Sequence, residues 1–397
     1  MYLGKIRQDL KSTPKNDQEK IKMNQKTIDQ RDLQRGRSNV KDNKQLIDFY
    51  NELEDKSTTA FWRRANDIEP WEPVTRYKPT LWRYAELRDL VLKSAELVTP
   101  EEAGRRVIVL MNNSDAGRDN TACVGWLFSG LQVMKPGEIT PAHKHAASAQ
   151  RFIMEGGGAY TVVDGHQVSL NKNDYVLTPS GCWHDHGVFE DGKVCIWQDG
   201  LDIPLMNSLE TNFYAVYPEE TQTPDFELDD SPHTYGGPGL IPAGRKPWDK
   251  PYSPLLVYRW EDTKEALYNL SKTGEGSPFD GYILRYSNPL TGGWAMSTMG
   301  AHMQMLKPKQ HTKAHRHTGN VMYNCAGGEG YSIIGGKEFH WKEHDIFCVP
   351  SWVWHEHVNT SKSEEAFLYS FNDFPVMESL SVYKEESLEE NKGYQTV

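Results

Sequence analysis

Gly137-Glu-Ile-Thr-Pro-Ala-His143-Lys-His145, followed by Pro179-Ser-Gly-Cys-Trp-His184-Asp-His186, decides the fold, because the chain carries this pair of segments twice. His143 and His145 recur as His315 and His317, and Gly158 as Gly330, at an offset of 172. Pro179, Trp183, His184 and His186 recur as Pro350, Trp354, His355 and His357 at 171, so one residue has been lost near the turn between Gly158 and Tyr160. A repeat this long is two copies of a whole domain rather than a solenoid period. Around it lie short runs such as LQVMKPG, RFIMEG, AYTVV, HQVSL and DYVLTP, apolar at alternate positions and broken by Gly, Pro, Asn and Asp. That texture predicts antiparallel strands. Asp164-Gly165, between AYTVV and HQVSL, predicts a two-residue hairpin because both central positions of a type I′ turn need positive φ. The expected fold is all-β dominated: two tandem small β-barrels, with helices ahead of the first and in the linker.

Strand geometry gives the histidines a purpose. Residues two apart project from one face, so His143 and His145 can converge on a point, as can His315 and His317. His184 follows His145 by 39 residues and His355 follows His317 by 38, the length of two hairpins that return the chain to the same barrel mouth. A single H-x-H pair on a strand is commonly a packing feature. Two copies, each with a matched third histidine, read as metal sites, since neutral imidazole is the commonest metal ligand and three of them leave exchangeable positions. His143, His145 and His184 form the first candidate site, and His315, His317 and His355 a possible second one. His186 and His357 face the same way two residues on, as groups that contact substrate or orient a ligand.

Outward from the repeats the chain divides into a polar extension (1–45), a helical segment (46–106), a first barrel (107–224), a Pro- and Gly-rich linker (225–275), a second barrel (276–385) and a short tail (386–397). The extension holds 12 Lys/Arg against 6 Asp/Glu and lacks an apolar face; Met23 within it is a second candidate start. Helical spacing in LIDFYNEL, FWRRANDI and YAELRDLVLKSAEL, with Thr99 as an N-cap before Pro100 and Glu102, predicts helices that wrap the first core. A net charge of −11 argues against nucleic-acid binding. The five cysteines are odd in number and contain no C-x-x-C, which fits reduced thiols and a cytoplasmic setting. No apolar run reaches the roughly 18 residues of a membrane span, and no signal-peptide pattern opens the chain.

The two histidine segments and the strand Arg151-Phe-Ile-Met-Glu-Gly resemble the two motifs of the cupin family, and the tandem copy makes the chain similar to bicupins. Many cupins place a Glu ligand four or five residues after H-x-H; here that place holds Gln150, and Met322 in the repeat. A three-histidine site without Glu resembles the gentisate 1,2-dioxygenase family and its salicylate and 1-hydroxy-2-naphthoate dioxygenase relatives. LWRYAELR, AGRRV, TPAHKHAASAQRFI, LTPSGCWHDHG, WQDGLDIP and RYSNPLTGG extend the likeness over roughly residues 60–385.

The resemblance implies Fe(II) at His143, His145 and His184, O2 as co-substrate, and ring cleavage between the carboxyl-bearing and adjacent hydroxyl-bearing carbons of an aromatic acid, gentisate giving maleylpyruvate. It also implies a homotetramer, with neither nucleic acid nor membrane as partner. Arg151, in step with His145 on one strand face, is the expected carboxylate anchor. Arg106 is the expected second anchor, with Arg105 as the alternative; Gln132 and Asp199 match positions near substrate, and His186 is expected to hydrogen-bond its oxygens. Trp126, Phe128 and Trp197 are candidate apolar walls, and the inserted Ser114–Asn120 stretch a candidate lid. In the second repeat Tyr323 replaces Arg151, so no carboxylate anchor is expected there. Salicylate or 1-hydroxy-2-naphthoate cleavage is the alternative within the chemistry. A non-catalytic bicupin that binds a small acid or a metal, or an oxalate decarboxylase, is the alternative outside it.

Overall fold

The computed structural model describes residues 40–244 and 248–397; most of the polar extension, Met23 included, lies outside the described residues. The described residues up to Val74 form one compact unit and those from Thr75 to Val397 another. The first holds helices Lys44–Glu54 and Phe61–Ile68, with Trp62 Nε1 donating to the Tyr50 hydroxyl at 3.1 Å. In the second, helix Tyr84–Leu97 leads to a short helix Pro100–Ala103, which Thr99 opens through a reciprocal capping box with Glu102.

Strands follow in chain order: β1 (Thr80–Trp82), β2 (Val107–Val109), β3 (Phe128–Met134), β4 (Ile139–His145), β5 (Ala149–Glu155), β6 (Gly157–Val163), β7 (His166–Asn171), β8 (Tyr175–Thr178), β9 (His184–Val188), β10 (Cys195–Leu201), β11 (Tyr214–Val216) and β12 (Val257–Tyr258). After helix Trp260–Ser271 come β13 (Tyr282–Arg285), β14 (Gly300–Leu306), β15 (His315–His317), β16 (Val321–Gly327), β17 (Glu329–Ile334), β18 (Lys337–Lys342), β19 (Ile346–Val349), β20 (His355–Asn359), β21 (Ala366–Asn372) and β22 (Glu385–Ser387). Asp164 and Gly165 join β6 to β7 at φ of 44° and 82°, the two positive values a type I′ hairpin requires.

Each barrel is two antiparallel sheets. The first pairs β12-β8-β5-β10-β3-β2 with β11-β4-β9-β6-β7, the second β1-β19-β16-β21-β14-β13 with β18-β17-β20-β15-β22. The repeats differ by one residue because β6 bulges between Gly157 and Ala159, whereas β17 pairs without interruption from Glu329. Ala159, not Gly158, is therefore the counterpart of Gly330, and Gly158 at φ 77° is the extra residue.

The segments ahead of and between the barrels are exchanged. β1 pairs with β19 of the second barrel, and β12 from the linker pairs with β8 of the first. The residue 385 boundary read from the sequence falls inside β22, which pairs with β15, and Gln395 donates to Ile333 O at 2.8 Å, so the tail completes the second barrel. The two six-stranded sheets pack on each other through one continuous core, in which Phe152 stacks on Tyr369 at 4.2 Å and Asn324 donates to Gln198 at 2.9 Å. This sandwich leaves the interior of each barrel, between its two sheets, as the place for a site.

Candidate metal centre and substrate cavity

In the first barrel the five-stranded sheet supplies the histidines and the six-stranded sheet faces them with charge. His143 and His184 are register partners across β4 and β9, and period-two alternation puts His145 beside them. One ring nitrogen from each of the three lies within 4.8 Å of the others. Each ring spends its Nδ1–H on a main-chain carbonyl: His143 on Pro141 at 2.8 Å, His145 on Ala147 at 2.7 Å, His184 on Cys182 at 2.9 Å. A carbonyl can only accept, so the tautomer is fixed and the lone pair sits on Nε2. All three Nε2 atoms are buried and lack a hydrogen-bond partner. Burial, with Arg105 and Arg151 adding to it, pushes His143 down to about 4 and His145 to about 3; burial, with His143, His145 and Arg151 adding to it, drives His184 well below its usual value. Three neutral, unpartnered lone pairs converging at one point are what a metal ion needs and what a folded protein otherwise avoids.

Facing them is a cavity of about 200 Å³ lined by Arg105, Val107, Val109, Phe128, Gln132, Arg151, Asp199, Leu201 and Ile203. Arg151 on β5 and Asp199 on β10 are direct cross-strand partners, with Nε 3.2 Å from Oδ1. Thr178 accepts from Nη1, and His186 lies 2.8 Å from Nη2. The Thr161 hydroxyl donates to Asp185 O, so it can only accept, at 2.7 Å, from His186 Nδ1; Nε2 of His186 then carries the lone pair that receives Arg151. Each Arg151 terminal nitrogen keeps one further N–H. The fork is thus oriented before any ligand arrives.

The expected residues divide. Gln132, Arg151 and Asp199 line the cavity together, but Arg106 is absent from its walls. Arg106 is 4% exposed and turned the other way, with both terminal nitrogens on Glu138 and further bonds to Val98 O and Val133 O, each at 2.9 Å. Arg105 takes the place, in step with Val107 and Val109 on one face of the strand, whereas Arg106 is in step with Ile108, which packs on the core. Arg105-x-Val107-x-Val109 and Arg106-x-Ile108-x-Leu110 alternate equally in the sequence, so only the tertiary structure chooses between the two arginines. His186 faces Arg151 rather than open space. Of the three aromatic candidates, Phe128 lines the cavity; Trp197 is buried and donates to Asp199 Oδ1 at 3.2 Å; Trp126 lines a separate cavity of about 590 Å³. The Ser114–Asn120 insertion forms a helix, Asp115–Asn120, on that other cavity and not a lid here.

A cupin-domain family model matches residues 130–203 and 302–371. Over 342 residues the chain is 34% identical to gentisate 1,2-dioxygenase 1 of Aquipseudomonas alcaligenes, covering 86% of this chain and 96% of that one. The chain belongs to the gentisate 1,2-dioxygenase family. This bicupin family of ring-cleaving dioxygenases includes the 5-aminosalicylate 1,2-dioxygenase of a Comamonas species, 34% identical over 82% of this chain and 86% of that one. Among solved structures, a variant of salicylate 1,2-dioxygenase from Pseudoaminobacter salicylatoxidans in complex with gentisate superposes with a TM-score of 0.79 at 29% identity, over 88% of this chain and 96% of the other. No described helix is long and apolar enough to cross a membrane.

Two predictions separate the neighbouring arginines. Arg105→Ala is expected to raise the KM for an aromatic acid about tenfold, the roughly 1.4 kcal/mol of one half-buried charged contact, with little change in melting temperature. Arg106→Met strands the partly buried Glu138 carboxylate and is expected to cost about 3 kcal/mol of stability while leaving KM in place. Steady-state kinetics and thermal melts on the two variants check both.

Proposed function

We propose that the first barrel is an Fe(II) site that cleaves gentisate to maleylpyruvate with O2. The observation that supports it best is the convergence of three bare imidazole nitrogens beside a cavity holding two guanidinium groups and one carboxylate. Three neutral ligands leave a divalent ion its full charge, and the cavity adds a positive excess, so an anionic chelating acid is favoured. His143, His145 and His184 would hold the iron. When bound, it would supply adjacent open positions for the acid and O2, and the electrons that activate O2.

The protein's own residues bind and orient. Arg151 presents its two remaining N–H groups to the substrate carboxylate, and Arg105 lines the same cavity. His186 and Asp199 act as positioning residues that hold Arg151, and Gln132 is placed to contact a ring oxygen. Val107, Val109, Phe128, Leu201 and Ile203 grip the ring faces and exclude water. About 200 Å³ is small for a ligand pocket, which favours a one-ring acid over 1-hydroxy-2-naphthoate. By family likeness, a cytoplasmic homotetramer is the working form.

Burial raises Asp199 to about 6, with Arg151 and Arg105 opposing the rise. Below that pH Asp199 is neutral and Arg151 loses its counter-ion, so kcat/KM is expected to fall as pH drops through about 6, and Asp199→Asn to flatten that limb at reduced activity. The stability sign is opposite. A carboxyl whose folded value exceeds its ordinary value of 3.8 takes up protons on folding between 3.8 and about 6, so its contribution to stability declines as pH rises through that window.

Anaerobic Fe(II) loading followed by oxygen uptake with gentisate, salicylate and 1-hydroxy-2-naphthoate tests the whole reading. Fastest turnover is expected on gentisate. Preference for a monohydroxylated acid would move the assignment to the salicylate type, and no uptake with any of the three would leave a binding protein.

A further inference from the structure

Arg151 and Arg105 line one cavity but are held in different ways. Asp199, Thr178 and His186 fix Arg151 from three sides. Among the described residues nothing accepts a hydrogen bond from the Arg105 guanidinium, which lies instead over the ring of Tyr214, with Cζ 5.8 Å from the ring centroid. A guanidinium within about 6 Å of an aromatic centroid is attracted by the ring quadrupole. Tyr214 is thus the group that orients Arg105.

The same ring is stacked on a histidine of the triad. His143 and Tyr214 have centroids 5.3 Å apart and planes 25° from parallel. β11 brings the ring there by pairing with β4, Tyr214 opposite His145 and Val216 opposite His143. One side chain therefore joins the five-stranded sheet, which carries the triad, to Arg105, which leads into β2 of the six-stranded sheet. Tyr214 is 53% exposed, and both contacts are made by its ring rather than its hydroxyl.

The second barrel supplies a comparison within the chain. Glu385 stands against His317 in the register that Tyr214 holds against His145. Val107 and Ile283 pair with the equivalent Gln132 and Gln304, so Gly281 stands where Arg105 does. Glu385 Oε1 accepts from His315 Nδ1 at 3.2 Å. In both barrels, then, this edge-strand position meets the first histidine of the triad, and it is aromatic in the barrel that has an arginine to orient. A carboxylate at 214 would pair with Arg105 and cancel the charge that an acid needs to meet.

We infer that Tyr214 is a positioning residue for the aromatic acid: its ring holds Arg105 at a fixed place relative to His143, so that the acid's carboxylate is received beside the triad. It acts through Arg105 and not through its own hydroxyl. Its role depends on the first barrel being the acid-binding site, and binding measured without turnover separates the two.

Gentisate, salicylate and 1-hydroxy-2-naphthoate, each with the carboxylate that Arg105 would receive, are titrated anaerobically into the full-length protein at saturating Co(II) and followed by visible absorption. Steady-state kinetics are measured alongside on the Fe(II)-loaded protein. Tyr214→Ala is expected to weaken whichever acid the unaltered protein binds by roughly two- to fivefold, the range of a cation–π contact at an exposed site. In turnover the loss falls in KM and not in kcat, as lost ground-state binding does. Tyr214→Phe keeps the ring and is expected to restore the unaltered affinity. Added to Arg105→Ala, Tyr214→Ala is expected to cost nothing further, because the residue it acts through is gone. Unchanged affinity in Tyr214→Ala, a Tyr214→Phe protein as weak as Tyr214→Ala, or losses that multiply in the double variant would each overturn the assignment. If none of the three acids perturbs the unaltered protein, the first barrel is not the acid site, and the role of Tyr214 falls with it.

Discussion

His184→Ala is expected to abolish gentisate-dependent oxygen uptake while the protein stays folded. His184 is the one arm of the first triad that comes from β9, brought opposite His143 by sheet pairing. Without it, two imidazoles on one strand face remain, and both belong to the same short H-x-H segment. Losing even an outer partner of a metal ligand costs about 10- to 100-fold in affinity or activity, so losing a ligand should exceed about 100-fold. Among the described residues the side chain's one hydrogen bond is to Cys182 O, two residues away, so little else depends on it. Iron content and oxygen uptake fall together in the expected result, with an unchanged far-ultraviolet circular dichroism spectrum. Full activity with a stoichiometric metal would exclude the first triad as the reacting centre.

Arg151→Met should be nearly as severe, for electrostatic reasons. Arg151 is 4% exposed and carries Asp199, Thr178 and His186 on one guanidinium. Methionine keeps the stem and removes the charge, which leaves the Asp199 carboxylate buried without a counter-ion and His186 Nε2 without a donor. Breaking a buried charged pair from one side costs about 2–5 kcal/mol, or roughly 30- to 4000-fold at about 1.4 kcal/mol per tenfold, and the loss of the substrate carboxylate contact falls in kcat/KM as well. The stability part has its own signature. Asp199→Asn added to Arg151→Met should recover most of the lost melting temperature without recovering activity, since the second change removes the stranded charge but not the need for an anchor. If the double variant melted no higher than Arg151→Met alone, the Arg151–Asp199 pair would not be the source of the cost.

Much of the site was legible in the sequence because it is written in local patterns. H-x-H puts two imidazoles on one strand face whatever the rest of the chain does, and the matched recurrence of His184 as His355 made the third arm recognisable. Asp164-Gly165 specified its hairpin through the φ values it alone tolerates there. Thr99 specified its helix start by hydrogen bonds within four residues. Arg106 shows the limit of that kind of reading. Adjacent strand residues point to opposite sides, so choosing between Arg105 and Arg106 requires knowing which face of β2 looks inward, and both faces are apolar in the sequence, Val107 with Val109 on one and Ile108 with Leu110 on the other.

By itself, then, the sequence determined two β-barrels, two histidine triads and the chemical family, since each rests on residues close in the chain or on a repeat that can be counted. Only the tertiary structure decided what surrounds the triads. It exchanged β1 and β12 between the barrels, spent the His186 lone pair on Arg151, turned Arg106 onto Glu138, and set Asp280 and Glu385 beside His315. Each of those contacts joins residues from 32 to 268 positions apart, and the sign of the field at a buried site is the sum over such neighbours, which no local pattern records.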